Sequence, residues 1–189
     1  IGNATYSSIS GTAPNYTYTY TYTVGSGDYQ DVQIKVNGSD CAGNAASTGT
    51  LTNAFHIDNT APVVSNISDG GATCKKSGDV VTITFDWTEL NLGSNPTVGI
   101  YQSDGTTFIG NATYSSISGT APNYTYTYTY TVGSGNYQDV QIQVSGSDCA
   151  GNNATTGTLT NAFHIDNTAP TISVTYPTSG TYTNGTQTL

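Results

Sequence analysis

Tyr16-Thr17-Tyr18-Thr19-Tyr20-Thr21-Tyr22-Thr23 decides the fold. Side chains on a strand alternate between faces, so this run sets its Tyr rings on one side and its Thr hydroxyls on the other. A helix would scatter the same rings around its circumference. Period two returns in Val32-Gln33-Ile34-Lys35-Val36, in Val80-Val81-Thr82-Ile83-Thr84-Phe85-Asp86-Trp87 and in Phe163-His164-Ile165-Asp166. Glycine-rich breaks separate these runs at Gly70-Gly71, Ser103-Asp104-Gly105, Gly133-Ser134-Gly135 and Gly151-Asn152-Asn153. No window carries convincing helical spacing. Short strands at hairpin-like intervals predict an all-β protein built as an antiparallel β-sandwich.

The Tyr-Thr run occurs twice. Residues 1–62 match residues 109–170 with five differences: Asp28/Asn136, Lys35/Gln143, Asn37/Ser145, Ala45/Asn153 and Ser47/Thr155. The offset of 108 residues predicts tandem modules of that length. On this reading residues 1–60 are the C-terminal half of one module, 61–168 a complete module, and 169–189 the N-terminal segment of a following one. A unit of this size can bury its own core, so beads on a string are expected. The chain has no Met and nothing at its front reads as a signal peptide, so an interior piece of a longer polypeptide is expected.

Composition narrows the function. Three Lys, no Arg and 12 acidic residues give 189 residues a net charge of -9. Nucleic acid needs basic patches that this chain lacks. No apolar run approaches the roughly 20 residues of a membrane span. Disorder is equally excluded, because 15 Tyr and many β-branched residues supply surface to bury.

The run Asp28-Tyr29 through Val32-Gln33-Ile34-Lys35-Val36-Asn37-Gly38-Ser39-Asp40-Cys41-Ala42-Gly43-Asn44, closing on Phe55-His56-Ile57-Asp58-Asn59-Thr60-Ala61-Pro62, resembles bacterial and archaeal Ig-like repeats. Gly78-Asp79-Val80-Val81-Thr82-Ile83-Thr84-Phe85 is similar to the early strand of that family. The resemblance implies tandem Ig-like sandwiches of surface adhesins, S-layer-associated proteins or cell-surface stalks. Cys41 and Cys149 depart from it, standing where the family usually has Ala.

Cysteine arithmetic gives one pair per module, Cys74 and Cys149, with the partner of Cys41 lying outside the fragment. A bridge inside the module is the plain choice. An Ig-like strand order nevertheless sets the two thiols at opposite ends of the sandwich, farther apart than the Cα separation of roughly 4.4–6.8 Å that a disulfide permits. A bridge between neighbouring modules or subunits, and free thiols, stay open. The linker Asp58-Asn59-Thr60-Ala61-Pro62 is stiffened by its proline. Asp58 and Asn59, with Asp148 and Asn152 of the next module, are calcium candidates, since oxygen ligands suit a hard cation. The competing reading has them hydrogen-bonding turn backbone. Asn3, Asn15, Asn37, Asn66, Asn111, Asn123, Asn153 and Asn184 open N-glycosylation sequons. The Tyr faces at 16–22 and 124–130 are expected in sandwich cores, with glycan stacking as the rival.

No catalytic residue is expected. His56 and His164 are one position seen twice, flanked by core-facing Phe and Ile, and no nucleophile motif, phosphate loop or Cys/His metal spacing occurs. These features predict a non-enzymatic extracellular structural protein, its modules strung into a cell-surface filament or stalk that associates with copies of itself. An adhesin gripping glycans or other cells is the alternative, and an accessory module of a secreted enzyme the third option. No cofactor is expected beyond calcium.

Overall fold

A computed structural model describes residues 1–174 together with Gly180, Asn184 and Gly185. From residue 175 onward the expected opening of a following module therefore lies almost wholly outside the described residues. Among those residues every regular element is a strand.

The first unit holds two antiparallel hairpins, β1 (Thr5–Thr12) with β2 (Asn15–Thr21) and β3 (Tyr29–Val36) with β4 (Gly49–Ile57). The second contains β5 (Val63–Ser68), β6 (Cys74–Lys75), β7 (Val80–Thr88), β8 (Thr97–Tyr101), β9 (Phe108–Asn111), β10 (Thr113–Thr120), β11 (Asn123–Thr131), β12 (Gln141–Ser145), β13 (Gly157–Leu159) and β14 (His164–Ile165). One sheet runs β10-β11-β7-β5 and the other β13-β12-β8-β9, each antiparallel throughout. Short β14 pairs parallel with β6 beside them. This is the antiparallel sandwich that the alternation predicts.

Alternation becomes a core where both sheets face it. Val81, Ile83, Phe85 and Trp87 of β7 are buried, as are Tyr126, Tyr128 and Tyr130 of β11. Val98, Ile100, Val140, Ile142, Val144, Phe163 and Ile165 close the cluster. In the β7–β11 ladder Trp87 pairs with Tyr124, Phe85 with Tyr126, Ile83 with Tyr128 and Val81 with Tyr130, so like faces meet. The Phe85 and Tyr126 rings stack at 5.4 Å. Burial pushes the Tyr128 phenol up to about 12, and its hydroxyl donates to the Pro96 carbonyl. A single protein interior thus lies within residues 61–168.

Residues 1–57 repeat the hairpins without that interior. β1 pairs with β2 in the register of β10 with β11, residue for residue at the repeat offset. Yet Tyr18 is 59% exposed while its counterpart Tyr126 is 1% exposed. Tyr16 and Tyr20 are exposed with it, and only Tyr22 is half-buried. The expectation of a packed Tyr face therefore holds for 124–130 and fails for 16–20. The reason is pairing: β11 lies between β10 and β7, whereas β2 has β1 alone.

Candidate functional site

A polar cluster sits where the first unit runs into the second. Asp58 follows buried Ile57 at the end of β4. Its Oδ1 accepts the Thr60 amide at 3.1 Å, a turn that presents Oδ2 forward to the Asn91 Nδ2 donor at 2.7 Å. The Asp58 carbonyl accepts from Asn152 Nδ2 at 3.0 Å. Two loops of the second unit, one after β7 and one after β12, thus hold one residue of the first.

Those loops bring acids of their own. Asp148 caps its turn, Oδ1 accepting the amides of Ala150 and Asn152 at 2.8 and 2.9 Å while Oδ2 accepts Asn152 Nδ2 at 2.7 Å. Glu89 Oε1 accepts the Asn91 amide at 2.7 Å. Gly93 lets the loops touch, because a Cβ there would sit 2.6 Å from the carbonyl oxygens of Ser147 and Asp148. Asp58, Glu89 and Asp148 each offer a carboxylate oxygen within 4.8 Å of the others. Glu89 and Asp148 are both 4% exposed.

Three acids gathered this way repel one another. Burial holds the Glu89 carboxyl above its ordinary value, and the neighbouring Asp58 and Asp148 charges add to it. Among the described residues no lysine lies within ion-pair distance of a carboxylate, so no lysine neutralises the cluster. An all-oxygen anionic donor set fits a hard divalent cation, with Asp58, Glu89 and Asp148 as the residues that would hold it.

The first unit supplies a control. Asp40 accepts from Ala42, Asn44 and the Asn44 side chain at 2.8–2.9 Å, so the Asp-Cys-Ala-Gly-Asn loop closes on itself before any neighbour arrives. Hydrogen bonds from Asn44 draw the exposed Asp40 carboxyl below its ordinary value. Turn formation accounts for Asp40. At the joint Glu89 and Asp58 are added.

Of the calcium candidates read from sequence, Asp58, Asp148 and Asn152 come together and Asn59 does not. Asn59 faces its own unit, its amide bonding Asp28 Oδ1 at 2.6 Å and its Nδ2 the Gly27 carbonyl at 2.7 Å. Glu89 and Asn91 escaped the sequence reading. The signal was present, because Glu89 is the chain's single glutamate and directly follows a strand of buried alternating residues.

The expected bridge inside the module is not formed. Cys41, Cys74 and Cys149 are free, exposed thiols. Cys149 donates its amide to Asn91 beyond the end of β7, while Cys74 pairs with His164 before β7 begins. The nine residues of β7 span about 27 Å, far beyond disulfide reach. All eight sequon asparagines are exposed, although Asn66 donates its side-chain amide to Asp86 at 2.8 Å. His164 Nδ1 accepts the Asp139 amide at 3.1 Å and His56 Nδ1 the Asp31 amide at 3.2 Å. Both imidazoles brace a residue with positive φ, which is a structural task.

A family model described as bacterial Ig-like domain (group 3) matches residues 122–188. That stretch is similar to a bacterial Ig-like domain. The match covers about a third of the sequence, starting beside β11 and continuing past residue 168. Ig-like domains of this kind are in general not enzymes and typically occur on extracellular or surface proteins. No curated protein and no solved structure matches the chain.

Proposed function

We propose that the chain is a non-enzymatic, extracellular structural protein whose Ig-like modules are strung in tandem as a cell-surface filament or stalk. The observation that carries this reading is the joint, where Asp58 at the end of one unit is held by Asn91 and Asn152 of the next. A divalent cation, calcium by its oxygen chemistry, binds Asp58, Glu89 and Asp148 and stiffens that joint. Repetition supports the mechanical role, because each linker ends in proline and a contact made once is available to every copy. Glycans on the exposed asparagines protect the outer surface, and disulfides, where they form, join units instead of closing one.

Two copies of residues 61–168 joined head to tail recreate the linker, since Asp166-Asn167-Thr168 precedes Ala61-Pro62 as Asp58-Asn59-Thr60 does. Millimolar calcium is expected to raise the melting temperature of this pair, with about 1.4 kcal/mol gained at tenfold excess over Kd. Asp148→Asn in the second copy removes the gain. An equal response from an isolated 61–168 unit would refute a cation shared across the joint. The exposed Tyr16, Tyr18 and Tyr20 favour a second reading, glycan capture by ring stacking. Selective signals on a glycan array would support it, and silence the scaffold.

A further inference from the structure

Between Asp104 and Asp139 the chain has no Asp, Glu, Lys or His, so in a molecule of net charge -9 a second copy can approach this stretch with little repulsion. The stretch supplies β10, and β10 ends its sheet. An edge strand carries backbone donors and acceptors that no neighbour satisfies, and proteins blunt such edges with short length, charge, bulges or cover. The other three edges of the two four-stranded sheets are blunted. β9 has four residues and β13 three. β5 is broken by a register shift between Ser65 and Ser68, with Asn66 at a φ of 52°. It also packs so closely on β13 that a Cβ on Gly157 would lie 2.6 Å from Val64 Cγ1. β10 is different: it is eight residues long and every one of them is exposed. Its own shift falls between Tyr114 and Ser116 and leaves Ser116-Ile117-Ser118 in unbroken register with β11.

We propose that β10 is a docking edge for the same strand of a second copy of this chain, the two strands running antiparallel about a two-fold axis through Ile117. In that register Ile117 meets Ile117 of the other copy, and Ser116 meets Ser118. Both sides of the pair are self-complementary. On the core-facing side Ile117 pairs with buried Tyr126 of its own sheet yet is still 37% exposed, so a second isoleucine at the edge covers it. Tyr114, 39% exposed and set edge-on against Tyr126 and Tyr128, extends that apolar strip. On the outer side Ser116 and Ser118 present hydroxyls, each able to donate and to accept. Two four-stranded sheets become one of eight strands, through backbone bonds that any strand can make and a side-chain pattern that this strand supplies to itself. A pair this short is weak alone. The same eight residues recur as Thr5–Thr12, in the same hairpin register, so two chains that pair at one place hold their remaining edges at high local concentration.

The inference stands apart from the joint and from the tandem reading, neither of which its failure touches. In a chain with Cys41, Cys74 and Cys149 replaced by Ser, Ile9→Cys and Ile117→Cys are introduced together, so that either copy of the strand can report. Cα atoms directly opposite in an antiparallel pair lie about 4.5–5.5 Å apart, inside the range that a disulfide bridges. Oxidation at ~100 μM is expected to give covalently linked chains as the main product. The same oxidation of Ser65→Cys, on the β5 edge, should leave monomer. Monomer from the first variant, or equal cross-linking of both, overturns the pairing. With its own sequence and in reductant, the chain should self-associate reversibly on sedimentation. Ser10→Lys with Ser118→Lys, which sets like charges diagonally across the two-fold axis, should weaken that association at least tenfold. Association that survives these lysines overturns the assignment of the edge, and a chain still monomeric at ~1 mM overturns self-docking. Slow amide exchange at 124–130 verifies that each variant is folded.

Discussion

Glu89 shows how burial turns a side chain against its own ionisation. Its carboxyl is held above the ordinary value in the folded protein, so the folded state binds the proton more tightly than the unfolded one. Stability is therefore complete below the ordinary carboxylate range and falls as pH rises through the raised value. Glu89→Gln is expected to stabilise the cation-free protein at pH 7, read as a rise in melting temperature, and to blunt its response to calcium. Asp104 has the opposite sign. Hydrogen bonds from Thr107 and Thr106 lower it to about 2, so its contribution is lost as pH falls from the ordinary value towards 2. The tyrosines give a paired test. Tyr128→Ala should cost about 3–5 kcal/mol in chemical unfolding of the 61–168 unit. Tyr20→Ala, an identical residue on an open face, should cost under about 0.5 kcal/mol.

Identical strands meet different fates at the level of the element. Period two was enough to foresee β2, β7 and β11, and to foresee which side β7 and β11 would bury. It was not enough to foresee which copy would be buried, because burial is a property of the neighbour and not of the run itself. β11 finds β7 within the same polypeptide, whereas β2 ends at a bare edge. Amides of β2 are accordingly expected to exchange orders of magnitude faster than those of β11, a comparison hydrogen exchange makes within one sample. The candidate site was half legible for a similar reason. Asp148 and Asn152 belong to a loop with a local signature, and Asp58 to a linker. Glu89 joins them only through a loop packing against another loop, at a distance along the chain that no spacing rule covers.

At the scale of the whole molecule, the distribution of thiols and acids follows from the ends of the sandwich. Cys149 belongs to the end that receives Asp58, and Cys74 to the end from which Asp166 departs. All three cysteines should accept iodoacetamide without denaturant, giving three additions by intact mass. A single addition would restore the bridge inside the module. Cleavage is similarly constrained: Lys35, Lys75 and Lys76 are the only sites for trypsin, and all lie away from the joint.

Asp58 carries one more implication. Tension applied along the polypeptide arrives at this residue before it reaches any ladder of the second sandwich, and without a bound cation only the side-chain amides of Asn91 and Asn152 hold it there. The junction therefore yields first, letting out slack while the core of the second unit stays shut. When the load drops, the same few bonds can close again, so the weakest point of the string acts as a resettable fuse.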